Sequence, residues 1–343
     1  MSHRHAKAFP VALTMLCLGL CGGSASADDT VQSIYEAAKK EGKVVYWSSN
    51  FTETNKNVAR KFAERYPGIT VEPFRVDNLQ LVQRATTEAA AGVHNVDVID
   101  LPAHYVTQLS SKGLIRSYPW KNVFGTDQGS VHFDGLALET YQIDLPLAYN
   151  TTMVKPGDIK SWDDLTDPKW RGKLIADARA QSFYILSLIW GEEKTDAFMR
   201  GILANRPTIK VGSSAAVEAL AGGQAAMSFG TISPPIIQYK EKGAPIDWMR
   251  IGPLPTLIYT VLAMKNAPHP NAALLWTSFL ATPEARQALW DSERKGMLSG
   301  PAVNPHGAEI AAAGLQLQYE SSDAVLAARL IKKYVDLLSG ATK

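Results

Sequence analysis

Short apolar runs alternate with amphipathic segments along residues 28–343, and this alternation constrains the fold more than any other feature of the sequence. A strand that returns parallel to its predecessor needs a crossover, usually a helix, so the pattern points to α/β sheets covered by helices. Residues 31–41 carry a helical period ending at Gly42, and 43–47 read as a buried strand before Ser48-Ser49-Asn50. Residues 52–66 form the next helical pattern, closed by Pro67-Gly68, followed by a strand at 69–76, a helix at 79–91 and a strand at 96–100.

A second series has strand patterns at 145–150, 173–176, 208–211, 225–229 and 257–264. Between and after them lie helical patterns at 182–190, 195–203, 214–221, 234–240, 271–280, 283–291 and 323–338. No internal repeat, heptad or low-complexity tract interrupts the series. A chain of 343 residues exceeds the usual single core, so two domains are expected.

The first 27 residues follow a different logic. Arg4 and Lys7 precede an almost continuously apolar run at 9–20, and Ala25-Ser26-Ala27 supplies small residues at the cleavage positions of a secretory signal. The run is shorter than the roughly 20 residues of a spanning helix. A signal cleaved after Ala27 and a periplasmic mature chain starting at Asp28 are therefore expected. Cys21 as a lipid anchor is the competing idea, but Leu20 is bulky where a lipoprotein signal needs a small residue.

Cleavage changes the arithmetic. Cys17 and Cys21, the two cysteines, leave with the signal, and 35 − 2 = 33 basic residues then face 33 acidic ones. A neutral, thiol-free chain excludes cysteine catalysis, a disulfide scaffold and the basic footprint of a nucleic-acid binder. Gly-x-Ser-x-Gly, His-Glu-x-x-His and phosphate-loop motifs are absent from the sequence, so no enzyme is read from it. His94, Asp97, Asp100 and His104 have no spacing that unites them as metal ligands.

Several stretches resemble a known family. Gly42-Lys43-Val44-Val45-Tyr46 and Phe62…Tyr66-Pro67-Gly68-Ile69 open it. Ser161-Trp162-Asp163-Asp164-Leu165 with Asp167-Pro168-Lys169-Trp170-Arg171-Gly172-Lys173 is its most specific part. Val217-Glu218-Ala219-Leu220-Ala221-Gly222-Gly223-Gln224 and His269-Pro270-Asn271-Ala272-Ala273 continue it. Together they resemble the type II periplasmic solute-binding proteins of bacterial ABC importers, in particular the ferric-ion-binding branch.

The resemblance implies two α/β lobes joined by two crossing segments, with a ligand cleft that closes around the solute. It divides the chain into lobe one at 28–140 plus 265–343 and lobe two at 141–264, with crossings near 145–150 and 257–264. It further implies an inner-membrane ABC permease as partner, a monomer, and no cofactor. The branch's iron ligands do not carry over: the adjacent tyrosines fall at Ser233-Pro234, the histidine at Asn50 and the glutamate near Pro102. Ferric iron wants hard anionic oxygens, and none of these supplies one, so no metal is expected.

Three turns that open helices suit an anion better, because free backbone N–H groups and the helix dipole favour negative charge there. They contribute Ser48, Ser49 and Asn50; Arg179 and Ser182; and Ser213 and Ser214. Thr231 and Ser233 stand where the iron ligands would be, and Tyr149 stands near a crossing. The resemblance and these ten residues imply a receptor for a small organic anion, such as a phosphonate, phosphate ester or carboxylate. A ferric receptor using a synergistic anion, and an exported enzyme on the same fold, are the alternatives. Arg84 reads as a solvated helix position and Trp47 as a buried strand aromatic.

Overall fold

The computed structural model describes residues 27–300 and 302–340; the expected signal, apart from Ala27, lies outside the described residues. The first part runs α1 (Ala27–Glu41), β1 (Lys43–Ser48), α2 (Thr52–Arg65), β2 (Thr70–Arg75), α3 (Asn78–Ala90) and β3 (Val98–Pro102). Short helices α4 (Val106–Ser110) and α5 (Trp120–Phe124) precede a hairpin of β4 (Val131–His132) and β5 (Ala137–Asp144). The middle part comprises β6 (Ala148–Asn150), β7 (Leu174–Asp177), α6 (Gln181–Trp190), α7 (Glu192–Ala204) and β8 (Thr208–Lys210). It continues through α8 (Ser213–Ala221), β9 (Met227–Phe229), α9 (Ser233–Glu241) and β10 (Ile246–Trp248). The chain then returns as β11 (Leu254–Ala263), α10 (Pro270–Leu280), α11 (Pro283–Glu293), α12 (Pro305–Ala312), β12 (Leu317–Tyr319) and α13 (Ala324–Gly340).

Two sheets result. The first has the order β2-β1-β3-β11-β5-β4 with β12 beside β11, and the second has the order β10-β6-β9-β7-β8. Each sheet with its helices makes one lobe of a two-lobed α/β protein. β1 pairs parallel with β2 and β3, and β7 pairs parallel with β8 and β9. Parallel pairing under helices explains the apolar runs of β3, β7 and β9, which are buried throughout, whereas the edge strands β2 and β8 are largely exposed or half-buried.

The backbone passes between sheets at 145–147 and 249–253, and the crossings are tied together. The Leu145 amide donates to the Pro255 carbonyl at 2.8 Å, and the Met249 amide donates to the Leu147 carbonyl at 2.8 Å. The strand expected at 145–150 is thus shorter, and the crossing expected near 257–264 lies earlier. β11 instead runs wholly within the first sheet, antiparallel to β3 and β5. Its apolar run fills both faces of a central strand. Trp162, from the most specific motif, packs beneath the second crossing and donates to the Pro253 carbonyl at 3.0 Å.

The first core is aromatic. Phe62 is fully buried and meets Tyr66, Trp276 and Phe279 with ring centres 5.1, 5.0 and 5.4 Å away. Most of the return segment stays with the first sheet, but α13 bridges to the second lobe. α13 packs against α6 as well as α4, Phe183 stacks on Tyr334 at 5.9 Å, and the Ser321 amide donates to the Tyr184 hydroxyl at 2.8 Å. Hydrophobic period alone cannot tell which lobe receives a terminal helix.

Candidate functional site

β7, β8 and β9 end on one edge of the second sheet, where α6, α8 and α9 begin. Ligands of open α/β sheets bind outside the carboxyl ends of strands. The residues before α6, α8 and α9 are Ala180, Gly212 and Ile232, and none offers a side-chain cap. Side chains seal α3, α10, α11 and α12: Thr282 caps α11, Asn304 caps α12, Asp77 caps α3, and Glu41 accepts from the Asn271 and Ala272 amides of α10; α2, α4, α5 and α7 also lack a side chain of the N-cap residue as cap. Uncapped N-termini at a cleft keep backbone N–H groups for a ligand.

Arg179 occupies the turn into α6. Its Nε donates to Asp177 Oδ1 at 2.9 Å and its Nη2 to Asp177 Oδ2 at 2.6 Å and to Ser213 Oγ at 2.7 Å. Burial works against the charge, but the hydrogen bonds and charge of Asp177 outweigh it and hold the guanidinium above its usual pKa. A guanidinium has five N–H donors, so this grip leaves the Nη1 pair for a further acceptor. Ser213 Oγ also accepts from the Ile232 amide at 3.2 Å, joining the turns that open α8 and α9. Gly230 lets these turns approach: its φ is +76°, and a Cβ there would lie 3.4 Å from Asp177 Cβ. Beside it, Ser182 Oγ and Thr231 Oγ1 are buried with no hydrogen-bond partner in the protein. Orphaned buried hydroxyls are costly unless something else satisfies them.

The structure therefore unites Arg179, Ser182, Ser213 and Thr231. Ser233 is buried at the first position of α9, and Ser214 is exposed on α8. Tyr149 lies on β6 in the field of Asp247 and Arg250, with burial the main cause of its raised pKa. Ser49 is half-buried, and Ser48 donates to Asn55 Oδ1 at 3.1 Å.

Asn50 belongs to a buried network of the first lobe. Its Oδ1 accepts from Lys295 Nζ at 2.7 Å and from the Tyr141 hydroxyl at 3.2 Å. The same hydroxyl lies 3.1 Å from Asp100 Oδ1. Burial pushes Asp100 up to about 7 against the pull of Lys295, whereas Lys295 outweighs burial at Glu293 and holds it low. Asp97 bonds the His269 side chain at 2.8 Å, His104 bonds Glu320, Asp100 bonds Tyr141 and His94 bonds Asn266, so these four residues are engaged separately. Among the described residues no group of three or more His, Cys, Asp or Glu side chains could hold a metal ion. Arg84 is not simply solvated: its guanidinium lies 4.6 Å from the Trp47 ring centre and 4.5 Å from that of Phe74, and it bonds Glu88 at 2.6 Å.

Sequence reading missed Tyr259 and Asn78. Tyr259 stacks on Tyr141 at 4.6 Å, and Asn78 Nδ2 donates to its hydroxyl at 3.2 Å. Tyr259 and Asp77 add to the upward shift of the Arg179 guanidinium after Asp177. The only sequence signal was a polar pair, Tyr259-Thr260, inside an apolar strand.

Two α/β lobes joined by paired crossings are the architecture of a two-lobed solute-binding protein. A family model described as bacterial extracellular solute-binding protein matches residues 57–304, and the chain belongs to that family. Iron uptake protein A2 of Synechocystis sp. is 26% identical over 202 residues, which are 51% of this chain and 58% of that relative's length. Iron-bound HitA from Pseudomonas aeruginosa superposes with a TM-score of 0.71 at 19% identity, over 85% of this chain and 99% of that one. The periplasmic binding protein AfuA from Actinobacillus pleuropneumoniae, with fructose-6-phosphate bound, gives 0.69 at 20% identity over 86% and 98%.

Proposed function

We propose that the protein is the periplasmic receptor of an ABC importer, capturing a small organic anion between its lobes and delivering it to an inner-membrane permease. One observation carries the reading: three uncapped helix N-termini meet at Arg179, with two orphaned buried hydroxyls beside it. The dipoles, the free Nη1 edge and the hydroxyls of Ser182 and Thr231 together suit a phosphonate, phosphate ester or carboxylate. Solute contacts from both lobes select the closed state. The protein transports and does not transform its solute.

AfuA, bound to a sugar phosphate, is a fold neighbour consistent with an organic anion. Other relatives are named for iron, and the same test separates the two. Native mass spectrometry of freshly purified protein should release a small organic anion, chemically unchanged. Recovery of iron, with a visible charge-transfer band on adding ferric citrate, transfers the reading to a metal receptor. Recovery of a reaction product points instead to an enzyme.

A further inference from the structure

The first lobe buries a guanidinium that no carboxylate pairs among the described residues. Arg286, on α11, is only 7% exposed. β5 and β11 shift register where Tyr259 pairs with Tyr141 and Thr260 with Glu139, which leaves Thr140 out of the ladder. Arg286 fills that gap. Its Nε donates to the Thr140 carbonyl at 3.1 Å, and its Nη2 donates to the Glu139 carbonyl at 2.7 Å and to Ser130 Oγ at 3.0 Å. The stitch uses three of the five donors and meets only uncharged acceptors. The Nη1 protons find no acceptor among the described residues. The Glu139 carboxylate is committed elsewhere, to His132 at 2.8 Å and Gln142 at 2.6 Å. Burial accordingly pulls the guanidinium below its usual pKa, in spite of the fields of Glu139 and Asp127.

Arg286 also lines a cavity of about 680 Å³ bounded by α1, the end of α5 and the junction of α10 with α11. The cavity shares no residue with the turns around Arg179. Val31, Tyr66, Phe124 and Phe279 give it apolar walls, and half-buried Thr126 offers a hydroxyl. The volume is that of a small-molecule site. Arg65 and Asp127, the other charged residues of the lining, are exposed and opposite in sign, so the lining carries one net positive charge. A buried charge is costly until an opposite charge or further hydrogen bonds compensate it. A dianion would exceed the charge available and meet Asp127. A monocarboxylate matches it, accepts from Nη1 and sets an apolar body against the rings.

We infer that this cavity is a second ligand site, taking a small monocarboxylic acid with an apolar body, its carboxylate on Arg286 and its body against Val31, Tyr66, Phe124 and Phe279. The site is independent of the anion reading of the cleft. Calorimetry with phenylacetate and hexanoate, each against its neutral amide, tests it on the wild-type protein and on Arg179→Ala. At least one acid should bind about tenfold tighter or more than its amide, equally in both proteins. Arg286→Ala should abolish that preference, with a thermal melt to show that the variant is folded, because Arg286 also holds β5. Gln32→Glu, at an exposed position of the lining, keeps the stitch and should weaken the acid severalfold by adding a negative charge. No binding of either acid, or equal binding of acid and amide, overturns the site. So does a preference that Gln32→Glu or a folded Arg286→Ala protein leaves intact. A preference lost in Arg179→Ala belongs to the cleft and overturns it as well.

Discussion

Replacing Arg179 by alanine isolates the anion grip. Asp177 and Ser213 occupy three of the guanidinium's donors, leaving the Nη1 pair to face the solute. A charge-assisted hydrogen bond contributes about 1.5–3 kcal/mol. The Arg179 side chain is 40% exposed, which lowers the gain toward the smaller end for two bonds. A loss of about 2–3 kcal/mol in binding follows, or roughly 30- to 150-fold in affinity at 1.4 kcal/mol per decade. Asp177 adds to the loss, because its buried carboxylate then keeps only the Ser213 hydroxyl and the backbone amide of residue 179 as donors. Arg179→Lys keeps the charge without the planar fork and should fall between the two. The assay is titration calorimetry with the co-purified solute, alongside a thermal melt to show that the variants are folded. A folded Arg179→Ala protein that binds within about threefold of wild type refutes the grip, since even one charge-assisted bond is worth more than that.

Other consequences are independent of the solute. Phe62→Ala removes the ring at the centre of the Tyr66–Trp276–Phe279 cluster and should cost about 3–5 kcal/mol, read as a lower urea midpoint with an unchanged slope. His306 Nε2 lies 3.1 Å from both oxygens of buried Asp144, beside the crossing at 145–147, and packs edge-on to Trp248. His306→Ala should therefore cost about 3–5 kcal/mol by leaving that carboxylate buried and unpaired; a change below about 1 kcal/mol in the same urea titration contradicts this. Asp100 rises from the ordinary 3.8 to about 7, so over that window the folded state holds more protons than the unfolded chain. Stability should accordingly fall as pH rises from about 4 to about 7 and then level off. Comparing denaturation midpoints of wild type and Asp100→Asn across this range isolates the contribution, and a variant whose pH profile parallels wild type counts against it.

Local periodicity made much of the architecture legible. β1, β2, α2 and α6 fall within one or two residues of the expected ranges, because apolar runs and the Gly, Pro and Ser signals that bound them are read over short windows. β4, β10 and β12 did not: each is only two or three residues long, and their pairing comes from distant partners. The second crossing was misplaced for a related reason, since a run such as 254–263 looks the same in a hinge and in a sheet centre.

The site shows the same division. Arg179, Ser182 and Ser213 were visible as polar residues between a strand and a helix, a purely local signal. Asn50 looked identical in sequence, yet Lys295 from 245 positions away turns its side chain into a core network. Asn78 and Tyr259 acquire their place only when α3 meets β11 across 181 residues.

The most direct test of the cleft is a crystal structure of the protein with the solute that co-purifies. The account requires density for an anionic head within hydrogen-bond distance of Arg179 Nη1 and the hydroxyls of Ser182 and Thr231, at the N-termini of α6, α8 and α9. A solute bound elsewhere, or one whose anionic end faces Asp77 and Tyr259 while Ser182 and Thr231 stay unpaired, contradicts it.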